Sequence, residues 1–486
     1  MVVLTAAAAK PEADVAGAEP LPLVVDLDGT LLRTDTLVES LFALGRLHPL
    51  RLLVLPLWLA QGRAAMKHRL AALAPLDVHT LPMTQGLLAY LRAEQRNGRR
   101  LVLATGADEQ IARAVAGELG CFDAVLASDG VVNLSGERKR DRLVAEFGKR
   151  GFDYAGNSAR DLPVWAAARR GLLIGAAPRV VAAAERVTAV DRAFEQERPN
   201  LGTYLGAMRV QHWLKNLLLL VPLLAAHRID EPALLARALL GLVCFCLAAS
   251  GVYLLNDLFD LPADRRHPHK KARALASGRM PVLHALLLVP GLWLVSALLS
   301  LSLSPSFIAA LGVYAALMLA YSMSLKDIAI IDTLALAAGY TLRIYAGSLA
   351  AEVAVSPWLL VCSSALFFGL ALLKRYAELV TLRSALGAQA RVRGYRVDDA
   401  ALIAGLGTGA GCIAVAVLAL YPVVEPSGQA RWSVWLLCAL LLFWTGHMWL
   451  MAHHGRIHDD PVAFALRDPL SRGLGVITLG LLVLGT

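Results

Sequence analysis

Residues 256–278 read NDLFDLPADRRHPHKKARALASG, so Asn256, Asp257, Asp260 and Asp264 precede a run that includes Arg265, Lys270 and Arg273. Steps of three and four residues return a helix to one face, which puts the amide and the three carboxylates within an arc of about 100°. Hard oxygens suit Mg2+, which takes one or two carboxylates and completes its shell with substrate phosphates. The cations that follow offer N–H donors to phosphate oxygens. A second pair of carboxylates, Asp26 and Asp28, ends the apolar run in LPLVVDLDGT. Two carboxylates so spaced at a strand end can share Mg2+, one attacking phosphorus while the other handles the leaving-group proton. Thr105, ending LVLAT, is placed to hydrogen-bond a phosphoryl group. Lys139 in GERKRDRL is placed to neutralise it, and Asp161 in GNSARD to complete the metal site. Mg2+ is therefore the cofactor expected at both places.

These two groups need different scaffolds. Apolar residues make up 57% of the 486-residue chain and charged ones only 17%, which is too apolar for an ordinary soluble protein. The imbalance lies beyond residue 212, where apolar runs long enough to cross a bilayer recur. We expect nine spans, near 213–227, 233–255, 281–302, 305–324, 328–350, 357–375, 399–422, 432–452 and 469–485. Before them, strand-like runs alternate with helical stretches, as in a Rossmann-like α/β domain with a parallel sheet. The expected layout is a disordered tail over 1–20, an α/β domain over 21–180 with a helical cap near 37–80, a linker over 181–208, and an all-α membrane bundle over 209–486. Within the cap, LHPLRLLVLPLWLAQG is too short and too interrupted by Arg51 and Pro56 to span a membrane. It reads either as core helix or as an amphipathic surface that docks on the membrane or the second domain.

The net charge of +9 does not point to nucleic acid, because the basic residues cluster in loops between spans. No signal peptide is read at the start, which keeps the first domain in the cytosol. The cytosolic loops then hold Arg265, Arg266, Lys270, Lys271, Arg273, Arg279, Lys326, Arg383, Arg391, Arg393 and Arg396, against Arg228 and Arg431 outside. That bias follows the positive-inside rule and implies an inner-membrane protein. The six cysteines read as small buried hydrophobes.

Four motifs in order, DLDGT, LVLAT, GERKRDRL and GNSARD, resemble the haloacid-dehalogenase-type phosphatases over about residues 21–180. The resemblance implies that Asp26 attacks phosphorus through an aspartyl-phosphate, that Asp28 is the acid/base, and that Asp26, Asp28 and Asp161 hold Mg2+. One position departs: the family usually has GDS where this chain has GNS, so Asn157 replaces a frequent acidic residue.

The aspartate stretch resembles the first motif of the UbiA-type intramembrane prenyltransferases, a nine-helix superfamily, over about 205–486. The second family motif should lie in YSMSLKDIAIIDTLALAAGYTLRIYAG, but it lacks closely spaced aspartates; Lys326, Asp332 and Arg343 stand out instead. Asp332 and Arg343 are three helical turns apart and share a face, roughly 16 Å along the axis. Ionisable groups in a span are either functional or helix-pairing salt bridges. The segments QHWLKNLLLL, LLKRYAEL and FALRD, together with the aspartate stretch, are similar to the polyprenyl-phosphate phosphoribosyltransferase branch. That similarity gives roles to Lys215, Lys374, Arg375 and Glu378. It implies Mg2+ on Asp257, Asp260 and Asp264, phosphoribosyl diphosphate as donor and polyprenyl phosphate as acceptor. The hydrolase domain is then expected to remove the 5-phosphate of the product. A homo-oligomer is compatible with this. The alternative is a transferase that joins a prenyl diphosphate to an aromatic acceptor, with a hydrolase domain of other or regulatory role.

Overall fold

The computed structural model describes residues 20–386, 391–424, 431–457 and 460–484, so nearly all of the expected tail lies outside the described residues. The chain forms two compact units. One holds the residues up to Thr203 together with Asp260–His284; the other holds Tyr204–Phe259 and the chain from Ala285 onward.

The first unit is built on a six-stranded parallel sheet: β1 (Leu23–Val25), β2 (Leu101–Asp108), β3 (Ala124–Ser128), β4 (Asp153–Gly156), β5 (Arg170–Ile174) and β6 (Ala189–Phe194). The strand order is β3-β2-β1-β4-β5-β6, with Leu23 in register with Leu101 on one side and Asp153 on the other. Helices cover both faces, so Leu23, Val24, Val25 and Leu101–Ala104 are fully buried and the strands read as continuous apolar runs. β1 is the point where the order reverses, and the crevice beyond its carboxyl end is where such sheets carry sites. β6 lies inside the stretch expected as linker. Only Val190 and Phe194 are partly covered while the rest of the strand is exposed, which suits an edge strand, and it pairs along β5 from Ala189 to Phe194.

The cap region contains helices Thr36–Leu47, Leu55–Ala60 and Arg63–Leu73. Leu44, Met66, Leu70 and Ala74 form a small core there, with Leu41, Leu55 and Trp58 packed against it. Asp35 caps the first helix by accepting from the amides of Leu37 and Val38.

In the second unit, six of the expected spans appear as helices long and apolar enough to cross a membrane, among them Pro232–Phe259, Pro305–Met323 and Pro357–Arg383. The other three are helical but differ. Val210–Ala225 and Pro469–Leu484 are short, and Ile331–Ala351 has the length but carries Asp332, Arg343 and several hydroxyls. Ile331–Ala351 packs tightly on the short Val210–Leu220 turn, where a Cβ on Gly347 would fall 2.0 Å from the Leu219 carbonyl oxygen.

Candidate functional site

In the first unit the expected residues converge at the carboxyl ends of β1, β2 and β4. The Lys139 ammonium, on helix Glu137–Phe147, donates to Asp26 Oδ1 at 2.6 Å and to the Tyr154 hydroxyl at 3.0 Å. Tyr154 in turn donates to Asp161 Oδ1 at 2.7 Å. Burial raises the Asp26 carboxyl to about 6, although Lys139 pulls the other way. Burial works against the Lys139 charge as well, but Asp26 and Asp161 outweigh it and hold the ammonium charged. Thr105, fully buried, ends its run beside this centre and accepts from the Ala107 amide at 3.0 Å. Asp28 turns elsewhere: it accepts from the amide and hydroxyl of Thr36 at 2.9 and 3.2 Å. Burial, reinforced by Asp35, pushes its carboxyl up to about 7. A half-buried carboxyl so raised can carry the proton that a leaving oxygen needs. Asp28, Ser40, Lys67 and Asp108 line a small pocket between the sheet end and the cap helices.

The carboxylates do not form the expected metal trio. Asp161 Oδ2 accepts from the amides of Asn157 and Ser158 and from the Ser158 hydroxyl, so with Tyr154 both of its oxygens are occupied. Asn157 lies nearer the β1 loop, where a Cβ on Gly29 would come 2.2 Å from its Nδ2. Among the described residues no three His, Cys, Asp or Glu side chains are grouped to hold a metal ion. Asp26, Asp28 and Asp161 therefore do not fit Mg2+ as a set.

The aspartate stretch is also not one continuous helix. The long helix ends at Phe259 and a short one starts at Leu261, because Pro262 has no N–H to give and fits only a first turn. In the first unit, Asp264 is 3% exposed and accepts from Arg273 Nη1 at 2.6 Å. Arg265, expected to face phosphate, instead grips Glu39 of the cap region: Nη2 donates to Oε1 at 2.5 Å, and each side chain is 5% exposed. Arg266 pairs with Asp77. Lys270 stays exposed.

In the second unit Asp257 is buried and paired with Arg209, beside Asn256 at the end of the long helix. Asp332 and Arg343 share a helix without pairing. Asp332 accepts from Arg375 Nε and from the Tyr395 hydroxyl, both at 2.5 Å. Arg375 reaches Glu378 and the Tyr321 hydroxyl as well. Arg343 is held by neutral groups, the Asn216 and Gly339 oxygens and the Tyr314 hydroxyl, with the Phe245, Tyr314 and Tyr340 rings around it. Lys215 pairs with Asp460 and lies over the Tyr340 ring. Lys374 is half-buried, and Lys326 sits in the turn Leu325–Asp327.

The sequence reading missed Tyr154, Glu39, Arg209, Tyr321, Tyr395 and Asp460. Of these only Asp460 carried a signal, as a carboxylate in a loop between two apolar runs. Asn256, Asp257, Asp260 and Asp264 carry the oxygen donors that Mg2+ favours, but among the described residues they too are not grouped to hold an ion as they stand. Asp257 and Asp264 each hold an arginine, whose charge balances theirs as a cation would.

Residues 217–467 match the UbiA prenyltransferase family model, and residues 23–166 that of the haloacid dehalogenase-like hydrolases. Uncharacterized protein y4nM of Sinorhizobium fredii is 35% identical over 463 residues, covering 94% of this chain and 89% of its own length. The decaprenyl-phosphate phosphoribosyltransferase of Mycolicibacterium smegmatis is 38% identical over 179 residues, 36% of this chain and 56% of that relative. The chain thus spans little more than half of that enzyme's length. A solved UbiA homolog from Archaeoglobus fulgidus, bound to GPP and Mg2+, is 18% identical over 58% of this chain and 98% of its own, with a TM-score of 0.45.

Proposed function

The chain belongs to the UbiA prenyltransferase family and carries a haloacid dehalogenase-like hydrolase domain, and from that premise we propose that it is a bifunctional inner-membrane enzyme. It transfers 5-phosphoribose from phosphoribosyl diphosphate to a polyprenyl phosphate, and its hydrolase domain then removes the 5-phosphate on the cytosolic side. The product is a polyprenyl-phosphoryl ribose. The observation that carries this reading is the presence, in one chain, of two sites. One is an aspartate loop within residues 217–467, which match the UbiA prenyltransferase model, in a chain with a 179-residue match at 38% identity to a phosphoribosyltransferase. The other is an aspartate–lysine centre suited to phosphomonoesters.

In the transfer step the bond from ribose C1 to the diphosphate breaks, and a lipid phosphate oxygen bonds to C1 from the opposite face. Asp257, Asp260 and Asp264 would hold Mg2+, which supplies charge to the departing diphosphate. Asn256, Arg265, Lys270 and Arg273 belong to the same stretch; exposed Lys270 is free to meet an incoming anion, whereas Arg273 must exchange Asp264 for phosphate. Lys215, Lys326 and Lys374 hold the sugar 5-phosphate or the lipid phosphate, with Asp332, Arg343 and the fully enclosed Arg375 fixing the helices between them. In the second step an Asp26 oxygen bonds to phosphorus as the bond to O5 breaks. Asp28 gives O5 its proton, Thr105 and Lys139 hold the phosphoryl oxygens, and water then releases phosphate from Asp26.

The test supplies purified full-length protein with phosphoribosyl diphosphate and polyprenyl phosphate, then weighs the lipids. Wild type should yield the ribosyl lipid, Asp26→Asn the 5-phosphorylated lipid, and Asp257→Asn no ribosylated lipid. An unchanged product distribution in Asp26→Asn sinks the hydrolase half. Turnover of a prenyl diphosphate with an aromatic acceptor instead would favour the alternative transferase.

A further inference from the structure

Resting on that reading, we propose that Glu39, in the hydrolase domain, is a positioning residue for the transferase: through Arg265 it seats the aspartate loop that takes the diphosphate. Glu39 lies in the first turn of helix Thr36–Leu47, and its Oε1 accepts both from Arg265 Nη2 at 2.5 Å and from the Thr34 hydroxyl at 2.6 Å. Arg265 directly follows Asp264 in the chain, so fixing the arginine fixes the backbone that carries the carboxylate. Two further contacts seat the same loop. Arg266 pairs with Asp77, and Gly278 packs so close that a Cβ there would meet Arg33 Cβ at 2.8 Å and the Pro82 ring at 3.1 Å.

A charged pair buried at both ends is a weak source of net stability but a strong source of register, because either charge left alone is costly. The pair is enclosed: both side chains are 5% exposed, and the Arg265 Nε is buried with no partner. An arginine that only served phosphate would not be enclosed against a carboxylate. Held there, Arg265 is also kept off Asp264, leaving that carboxylate to Arg273, a half-exposed cation that phosphate can draw away. The same helix start carries Thr36, which holds Asp28 of the hydrolase centre. The two activities therefore share one short segment, Thr34–Glu39.

The test compares wild type, Glu39→Gln, and the swap Glu39→Arg with Arg265→Glu, all full length. It uses transfer kinetics, hydrolysis of a soluble phosphomonoester, and hydrogen exchange over 260–280. Glu39→Gln should raise the KM for phosphoribosyl diphosphate at least tenfold with kcat within threefold, and speed exchange in the loop. Phosphomonoester hydrolysis should persist, and the swap should recover most of the lost KM. Unchanged loop exchange in Glu39→Gln overturns the seating role, whether or not wild type transfers phosphoribose. Faster exchange with an unchanged KM in an active protein overturns the link to the transferase. If wild type transfers nothing while the variant loosens the loop, the transferase reading fails and the seating alone stands. Should Glu39→Gln not fold, Glu39→Asp, shorter by one methylene, reports the same quantities.

Discussion

Arg375 Nε and Asp332 Oδ2 lie 2.5 Å apart with neither side chain exposed at all. They join two helices, Ile331–Ala351 and Pro357–Leu386, across 43 residues of chain. Around them Tyr321, Tyr395 and Glu378 satisfy the remaining polar atoms, so a charge that would be expensive in an apolar bundle is fully hydrogen-bonded.

Arg375→Lys should therefore be far from conservative. A lysine reaches one of the three partners, and the planar fork that serves Asp332, Glu378 and Tyr321 together is lost. We expect at least a tenfold fall in transfer with phosphomonoester hydrolysis intact. Arg375→Met should be worse for stability, since it leaves Asp332 buried without its counter-charge, at a cost of about 3–5 kcal/mol. Thermal unfolding in detergent, followed alongside lipid product mass, separates the two effects.

Tyr154 gives a second prediction. Its hydroxyl accepts from Lys139 and donates to Asp161, so Tyr154→Phe removes one link from each side of the buried network. A buried polar partner left unsatisfied costs about 1–3 kcal/mol. The variant should hydrolyse a soluble phosphomonoester at least fivefold more slowly and unfold at lower temperature, while transfer is unchanged. Equal loss of both activities would mean that Tyr154 serves folding alone.

Asp26, Asp28 and Thr105 were legible because each sits where an apolar run stops, and strand ends of a parallel sheet are where side chains leave the core; Lys139 was legible from the basic stretch GERKRDRL that follows them in order. Tyr154 was not, because an aromatic inside a strand pattern reads as core until its hydroxyl is seen to have partners. Glu39 and Arg265 are 226 residues apart, and no local pattern announces a pair at that distance. The same limit applied to Asp332, whose partner Arg375 came from another helix. Spacing placed Asn256, Asp257, Asp260 and Asp264 on one helical face; Pro262, present in the same stretch, breaks that helix and was the signal against it.

Gly278 tests the seating of the loop independently of charge. Its φ of +71° belongs to the left-handed region, and an added Cβ would fall 2.9 Å from the Arg33 carbonyl oxygen. Gly278→Ala adds about 1–2 kcal/mol of backbone strain to that clash. Hydrogen exchange over 260–280 should rise and transfer should fall, with strands β1 to β5 still protected. Uniform loss of protection across the sheet would instead make Gly278 a folding residue.

Asn157 is the position where this chain's hydrolase centre departs from a carboxylate set, and its amide leans over Gly29 beside Asp26 and Asp28. Asp161 cannot replace it, since four donors already occupy that carboxylate. Asn157→Asp would add a hard, charged oxygen at the β1 loop, and Mg2+ affinity rises with each carboxylate offered. We expect Mg2+ to stimulate phosphomonoester hydrolysis by the variant at a concentration at least tenfold below any at which it stimulates wild type. Without Mg2+ it should be slower than wild type, because the new charge sits near Asp26 and repels an incoming phosphate. A Mg2+ titration of both proteins at fixed pH reads the two effects separately. If the added carboxylate changes neither the titration nor the metal-free rate, Asn157 does not face the reacting phosphate, and Asp26, Asp28, Lys139 and Thr105 act without it.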